Sequence, residues 1–174
     1  SIFILGHLGL LSVLYTLPIR LNRKTLTLRK INWLKNILIS YVWAITSAAL
    51  PVIVNSRSVS QVPVWLITAN FIFIYMLIIP FDIRDSIADK KLNLITPVTY
   101  FGLKRIKLVG LVLALFHCLI IYFFAVKPDV KLVLFTNIIY LLLLYKSKPE
   151  LHEYFFTFLC DGLILLLSFM VLMN

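Results

Sequence analysis

The chain has 174 residues, 61% of them hydrophobic, and a mean hydropathy of +1.00, against roughly 45–50% apolar residues in soluble domains. A water-soluble fold has no surface on which to place so much apolar side chain. The net charge of +10 does not mark a nucleic-acid binder, because the cations fall between apolar runs rather than on one soluble face.

A helix needs about 20 mostly apolar residues to cross the roughly 30 Å hydrocarbon core. Taken in chain order, the uncharged runs predict about six transmembrane helices. The first covers Ser1–Ile19 and contains His7, expected to be a core histidine. It starts at Ser rather than Met and shows neither the basic start nor the small-residue cleavage site of a signal peptide. The expectation is an N-terminally incomplete piece of a longer protein. A basic loop leads to the second run, Asn36–Arg57, with Lys35 at its entry and Trp43 and Thr46 on one face at i, i+3.

The third run, Ser58–Phe81, carries Asn70 at its middle, and the fourth, Leu108–Val126, carries His117 and Cys118. The fifth, Leu132–Tyr145, is the shortest: 14 uncharged residues span only ~21 Å at 1.5 Å per residue, so Lys131 and Lys146 must snorkel from its ends. The sixth, Tyr154–Asn174, holds Cys160 and, seven residues in, Asp161. An acid in mid-bilayer costs ~2.5–3.5 kcal/mol on insertion scales, so Asp161 is expected to face the bundle interior or a wet cavity. Both cysteines fall inside apolar runs and are expected to stay unpaired.

The loops show a strong bias. If the first loop is cytoplasmic, Arg20, Arg23, Lys24, Arg29, Lys30, Lys35, Arg84, Lys90, Lys91, Lys104, Arg105, Lys107, Lys146 and Lys148 are on the inside and only Arg57, Lys127 and Lys131 outside. Fourteen to three is the pattern of the positive-inside rule, with both chain ends outside.

The chemistry concentrates after the third run, in Ile79-Pro80-Phe81-Asp82-Ile83-Arg84-Asp85-Ser86-Ile87-Ala88-Asp89-Lys90-Lys91, which holds three of the chain's seven acidic residues. On a helix, positions i, i+3 and i+7 fall within about 60° of one another, so Asp82, Asp85 and Asp89 share a face. Their mutual repulsion is relieved by a cation. Mg²⁺ suits the site, because it binds through one or two carboxylates, several waters and substrate phosphates. Arg84, Lys90 and Lys91 place positive charge beside it, as a polyphosphate requires. The bland alternative is a solvated segment in which the same acids and bases pair at little gain.

The spacing D-x-x-D-x-x-x-D after a hydrophobic span, followed by a basic pair and Thr96-Pro97, resembles the second aspartate-rich motif of the UbiA family of intramembrane prenyltransferases. Leu14-Tyr15-Thr16-Leu17-Pro18, Leu34-Lys35 leading to Val42-Trp43-Ala44, and Asp161-Gly162 in the last run resemble further stretches of that family in order. The resemblance implies an all-α polytopic bundle around a cavity, in which two aspartate-rich motifs hold a prenyl diphosphate through Mg²⁺ and a hydrophobic or aromatic acceptor is alkylated. It further implies Asp82, Asp85 and Asp89 as metal-binding catalytic residues and Lys90, Lys91, Arg84, Lys35, Asp161 and Asn70 as substrate contacts. The expected setting is a bacterial inner membrane with the aspartates on the cytoplasmic side. Family members have about nine spans, with the first motif on the second. Here no acidic residue precedes Asp82, so residues 1–174 are expected to form one domain, the carboxyl-terminal six-helix part, catalytically incomplete on its own.

Two further function classes are open to the sequence. One is a transporter or channel subunit whose acidic loop binds divalent cations, which predicts acidic or polar residues recurring along several spans; only Asp161 does so. The other is a scaffold that packs against a partner.

Overall fold

The computed structural model describes residues 6–11, 13, 19–21, 24–26, 32–56, 58–124 and 130–165. Its elements are helical apart from one short hairpin, in which β1 (Ile19–Leu21) pairs antiparallel with β2 (Lys24–Leu26), Arg20 opposite Thr25. Among the described residues, three helices are long and apolar enough to cross a membrane: Leu34–Ser56, Val64–Lys91 and Leu103–Phe124. The chain divides into two compact units, Ser1–Tyr75 and Met76–Asn174.

In the first unit, α1 (Asn32–Ala44) passes into α2 (Leu50–Ser56) through a π-helical turn, Ile45–Ala49. The sequence supplies the cause. Pro51 has no N–H to donate, and the preceding Leu50 N–H reaches back five residues to the Ile45 carbonyl, the bond that defines a π-turn. Asn36, Ser40 and Ala44 recur at i, i+4 and i+8 and are all buried, so α1 has a polar, small-residue face of the kind that lets helices approach closely in lipid. Ser47 Oγ donates to the Trp43 carbonyl at 2.7 Å and meets Asn70 Oδ1 at 3.5 Å. His7 is exposed rather than in the core: it contacts the Tyr41 hydroxyl at 3.3 Å, ring edge to ring face.

Helix α3 (Val64–Lys91) runs unbroken through Pro80, which removes the bond to the Met76 carbonyl. Its end is tied down. Asn93 adopts a left-handed φ of 53°, while the Leu94 N–H donates to the Asp89 carbonyl at 2.9 Å and the Asn93 N–H to the Lys90 carbonyl at 3.2 Å. That pair of bonds is a Schellman motif. Three residues later Thr96 and Thr99 form a reciprocal capping box, with Pro97 in the first position of α4 (Pro97–Phe101). Thr96-Pro97 therefore has a structural duty.

In the second unit, α5 (Leu103–Phe124) and α6 (Val130–Lys146) form an antiparallel hairpin. The pairing is read directly from Lys107 on Tyr145, Gly110 on Leu144 and Tyr140, and His117 on Asn137. Ile106, Gly110, Ala114, His117 and Ile120 make the buried stripe of α5, and Gly110-x-x-x-Ala114 is the small-residue pair that permits close approach. His117 is a core histidine as expected, its Nδ1 3.0 Å from the Asn137 amide nitrogen. Cys118 and Cys160 are free thiols.

The structure revises several span boundaries. The second and fourth runs correspond to Leu34–Ser56 and Leu103–Phe124, and the third extends to Lys91 rather than stopping at Phe81. The fifth becomes the 17-residue α6, which is not among the three membrane-length helices. The sixth begins as a π-helical segment, Phe155–Cys160, and stays helical to residue 165; residues 166–174 lie outside the described residues. Of the first run, residues 6–11 and 13 are helical and Ile19 belongs to β1, the remainder falling outside the described residues.

Candidate functional site

At 1.5 Å per residue the 28 residues of α3 measure about 42 Å, some 12 Å more than the hydrocarbon core. Two turns of it therefore stand beyond an apolar layer that starts at Val64. Asp82 falls at the boundary of that layer, and Asp85 and Asp89 beyond it. All three are on helix, on the face that the spacing predicts. Asp82 is buried at 9%, whereas the Asp85 side chain is 44% exposed and Asp89 is half-buried.

The macrodipole places partial negative charge at the carboxyl end of a helix, where a carboxylate is disfavoured by about 0.3–1 kcal/mol. Asp89 is in the last turn of α3 and Asp85 one turn before it. Lys90 and Lys91 in the same turn offset part of that charge; both are exposed.

Asp85 is held by its neighbour. Arg84 Nε donates to one Asp85 carboxylate oxygen at 2.7 Å and Nη2 to the other at 3.2 Å, the two-pronged fit that a guanidinium makes with a carboxylate. The guanidinium also lies over the rings of Phe81 at 5.2 Å and Phe156 at 6.0 Å, and within electrostatic reach of Glu153 and Asp161. A fixed cation thus joins the end of α3 to the last helical segment. Neither Glu153 nor Phe156, which is fully buried, stands out in the sequence; both come from about 70 residues downstream of Arg84, and nothing in their spacing signals the contact.

The three aspartates do not close into a cage. Asp82 and Asp89 are seven residues apart, about 10 Å along the axis, and among the described residues no three His, Cys, Asp or Glu side chains converge as a metal site. A Mg²⁺ ion held through one or two carboxylates, with water and phosphate completing its shell, needs no such cage.

Asp161 is exposed and, with Thr157, Phe158 and Gly162, lines a cavity of ≈ 420 Å³. Lys35 and Asn70 belong to the first unit. Lys35 is half-buried near the start of α1, and the Asn70 amide donates to the Leu66 carbonyl at 3.0 Å. Trp43 is 55% exposed, and Thr46, also exposed, donates to the Val42 carbonyl at 2.7 Å.

No protein-family model, curated protein or solved structure matches this chain. What stands is the class of molecule: a helical protein with three membrane-length apolar helices among its described residues, one of which ends in an acidic face.

Proposed function

We propose that the chain is the diphosphate-binding part of a UbiA-like, Mg²⁺-dependent prenyltransferase that moves a prenyl group from a polyprenyl diphosphate to an aromatic or lipid acceptor within the bilayer. One observation carries this reading: three carboxylates share a face at the negative end of an unbroken apolar helix, where their own repulsion and the helix dipole both call for bound cations.

Asp82 and Asp89, too far apart along α3 to enclose one ion, would each offer carboxylate oxygens to Mg²⁺ bound with the diphosphate at the membrane edge. Arg84, its guanidinium fixed by Asp85 and by two aromatic faces, supplies a permanent positive charge between the acidic face and Asp161. Lys90 and Lys91 extend that charge towards a diphosphate arriving from the aqueous side. Bound Mg²⁺ supplies charge neutralisation on the departing diphosphate. The cavity beside Asp161 is the candidate acceptor pocket, its largely apolar lining keeping water from the reacting carbon. Transfer breaks the prenyl carbon–oxygen bond to diphosphate, joins that carbon to the nucleophilic atom of the acceptor, and releases diphosphate and the acceptor's proton.

The reading brings with it six spans, basic loops facing the cytoplasm of a bacterial inner membrane, and a further aspartate-rich helix upstream. The distribution of cations, fourteen to three, supports that orientation.

The test uses the full-length protein in liposomes with a labelled prenyl diphosphate. Asp82→Ala and Asp85→Ala should each abolish Mg²⁺-dependent transfer. Full activity in both variants removes the site, and cation flux without any transfer points instead to a channel or transporter subunit.

A further inference from the structure

The antiparallel pairing of α5 and α6 brings the first turns of one helix to the last turns of the other, and this end of the hairpin is strongly basic. A cavity of ≈ 770 Å³ opens there, lined by Lys107, Lys146 and Lys148 above Leu143, Leu151 and Phe155. A second, of ≈ 370 Å³, shares Lys107 and adds Lys104, and its walls continue along Leu108, Leu111, Leu141 and Leu144. The two together present four lysines and no acidic residue.

The lysines are positioned rather than loosely tethered. Lys107 Nζ donates to the Tyr145 carbonyl at 2.6 Å and lies 5.9 Å from the Tyr145 ring. That carbonyl is one of the last four of α6, which have no partner within the helix. Lys107 also feels the like charge of Lys148. Cations gathered at the end of a helical hairpin, none of them in a salt bridge among the described residues, call for an anion, and leucine walls running from them along the helices call for a ligand whose anionic head is joined to hydrocarbon. Basic pockets between membrane helices take anionic lipid headgroups by this logic.

We propose that the Lys107–Tyr145 end of the α5–α6 hairpin is a binding site for an anionic diacyl phospholipid. Its phosphodiester sits among Lys107, Lys146 and Lys148, and an acyl chain lies along Leu108, Leu111, Leu141 and Leu144. The site is separate from the acidic face of α3 and does not rest on the prenyltransferase reading.

The experiment is native mass spectrometry of the full chain released from detergent with phosphatidylglycerol or phosphatidylcholine of the same acyl composition. Phosphatidylglycerol should be retained at least tenfold more tightly. Lys107→Gln with Lys148→Gln should weaken its retention by about thirtyfold, the effect expected of two interfacial lysines. Lys107→Arg with Lys148→Arg should keep it, and Lys131→Gln, at the opposite end of α6, should leave it unchanged. If the glutamine pair does not fold, Lys146→Gln with Lys148→Gln, both on exposed side chains, gives the same reading. Equal retention of phosphatidylcholine, parent-like retention by a folded glutamine variant, or complete displacement by millimolar inorganic phosphate would each overturn the proposal, the last by making this a free-phosphate site.

Discussion

Gly110 offers the most direct test of the α5–α6 packing. A Cβ built at this position would stand 2.5 Å from Leu144 Cδ2 and 2.7 Å from the Tyr140 hydroxyl, with Ile79 Cδ1 at 3.6 Å. Leu144 and Tyr140 are both fully buried, so neither can swing away without disturbing its own neighbours. Gly110→Ala gains about 1 kcal/mol of helix propensity and loses about 1–3 kcal/mol to overpacking. Gly162 is the control, since it is helical and a Cβ there meets nothing within 4 Å. Gly162→Ala therefore keeps the propensity gain alone. Equilibrium unfolding in mixed micelles should place Gly110→Ala about 1–3 kcal/mol below Gly162→Ala, and adding Leu144→Ala to Gly110→Ala should recover part of the loss. Equal stability of the two single alanine variants would show that the helices do not approach as described.

Three further outcomes are expected. Removing the capping box with Thr96→Ala should cost about 0.5–2 kcal/mol and speed hydrogen exchange at the Thr99 amide, which donates to Thr96 Oγ1 at 3.2 Å. Replacing His117 or Asn137 alone with Leu strands a buried partner and should cost about 1–3 kcal/mol. The double replacement should cost less than the sum of the two, which a double-mutant cycle in the same micelles would measure. At the end of α3, Asn93→Gly should be tolerated and Asn93→Val should destabilise by about 1–2 kcal/mol, because the left-handed φ of 53° suits Gly and Asn and penalises a β-branched side chain.

Three of the six apolar runs coincide with the membrane-length helices of the described residues, since a long helix satisfies its own backbone hydrogen bonds inside lipid; the other three runs do not show a helix of that length there. The ends of the first three were misjudged for one reason: reading a span to its first charge finds the edge of the hydrocarbon, whereas backbone hydrogen bonding continues past it. Hence Asp82 to Lys91 extend α3, and Lys104, Arg105 and Lys107 open α5. The shared face of Asp82, Asp85 and Asp89 was legible because it depends on spacing within one helix. The fork from Arg84 to Asp85 belongs to the solvated-pair alternative that the sequence had already offered. What no local pattern encodes is the pairing of distant elements: Phe156 beneath Arg84, Lys107 on Tyr145, or the bond from Asn137 to His117. The π-turn before Pro51 had a local cause, yet a proline permits a kink, a break or a π-turn, and the neighbours decide which.

The contact between His117 and Asn137 has a spectroscopic consequence. Asn137 Nδ2 donates to the Val133 carbonyl at 2.8 Å and lies 3.0 Å from His117 Nδ1, so both amide hydrogens are spoken for and Nδ1 must present its lone pair. The ring is therefore the Nε2–H tautomer. Nitrogen-15 shifts from a singly labelled imidazole would report that tautomer, and with it whether α5 and α6 hold their register, in any detergent or lipid and without a functional assay.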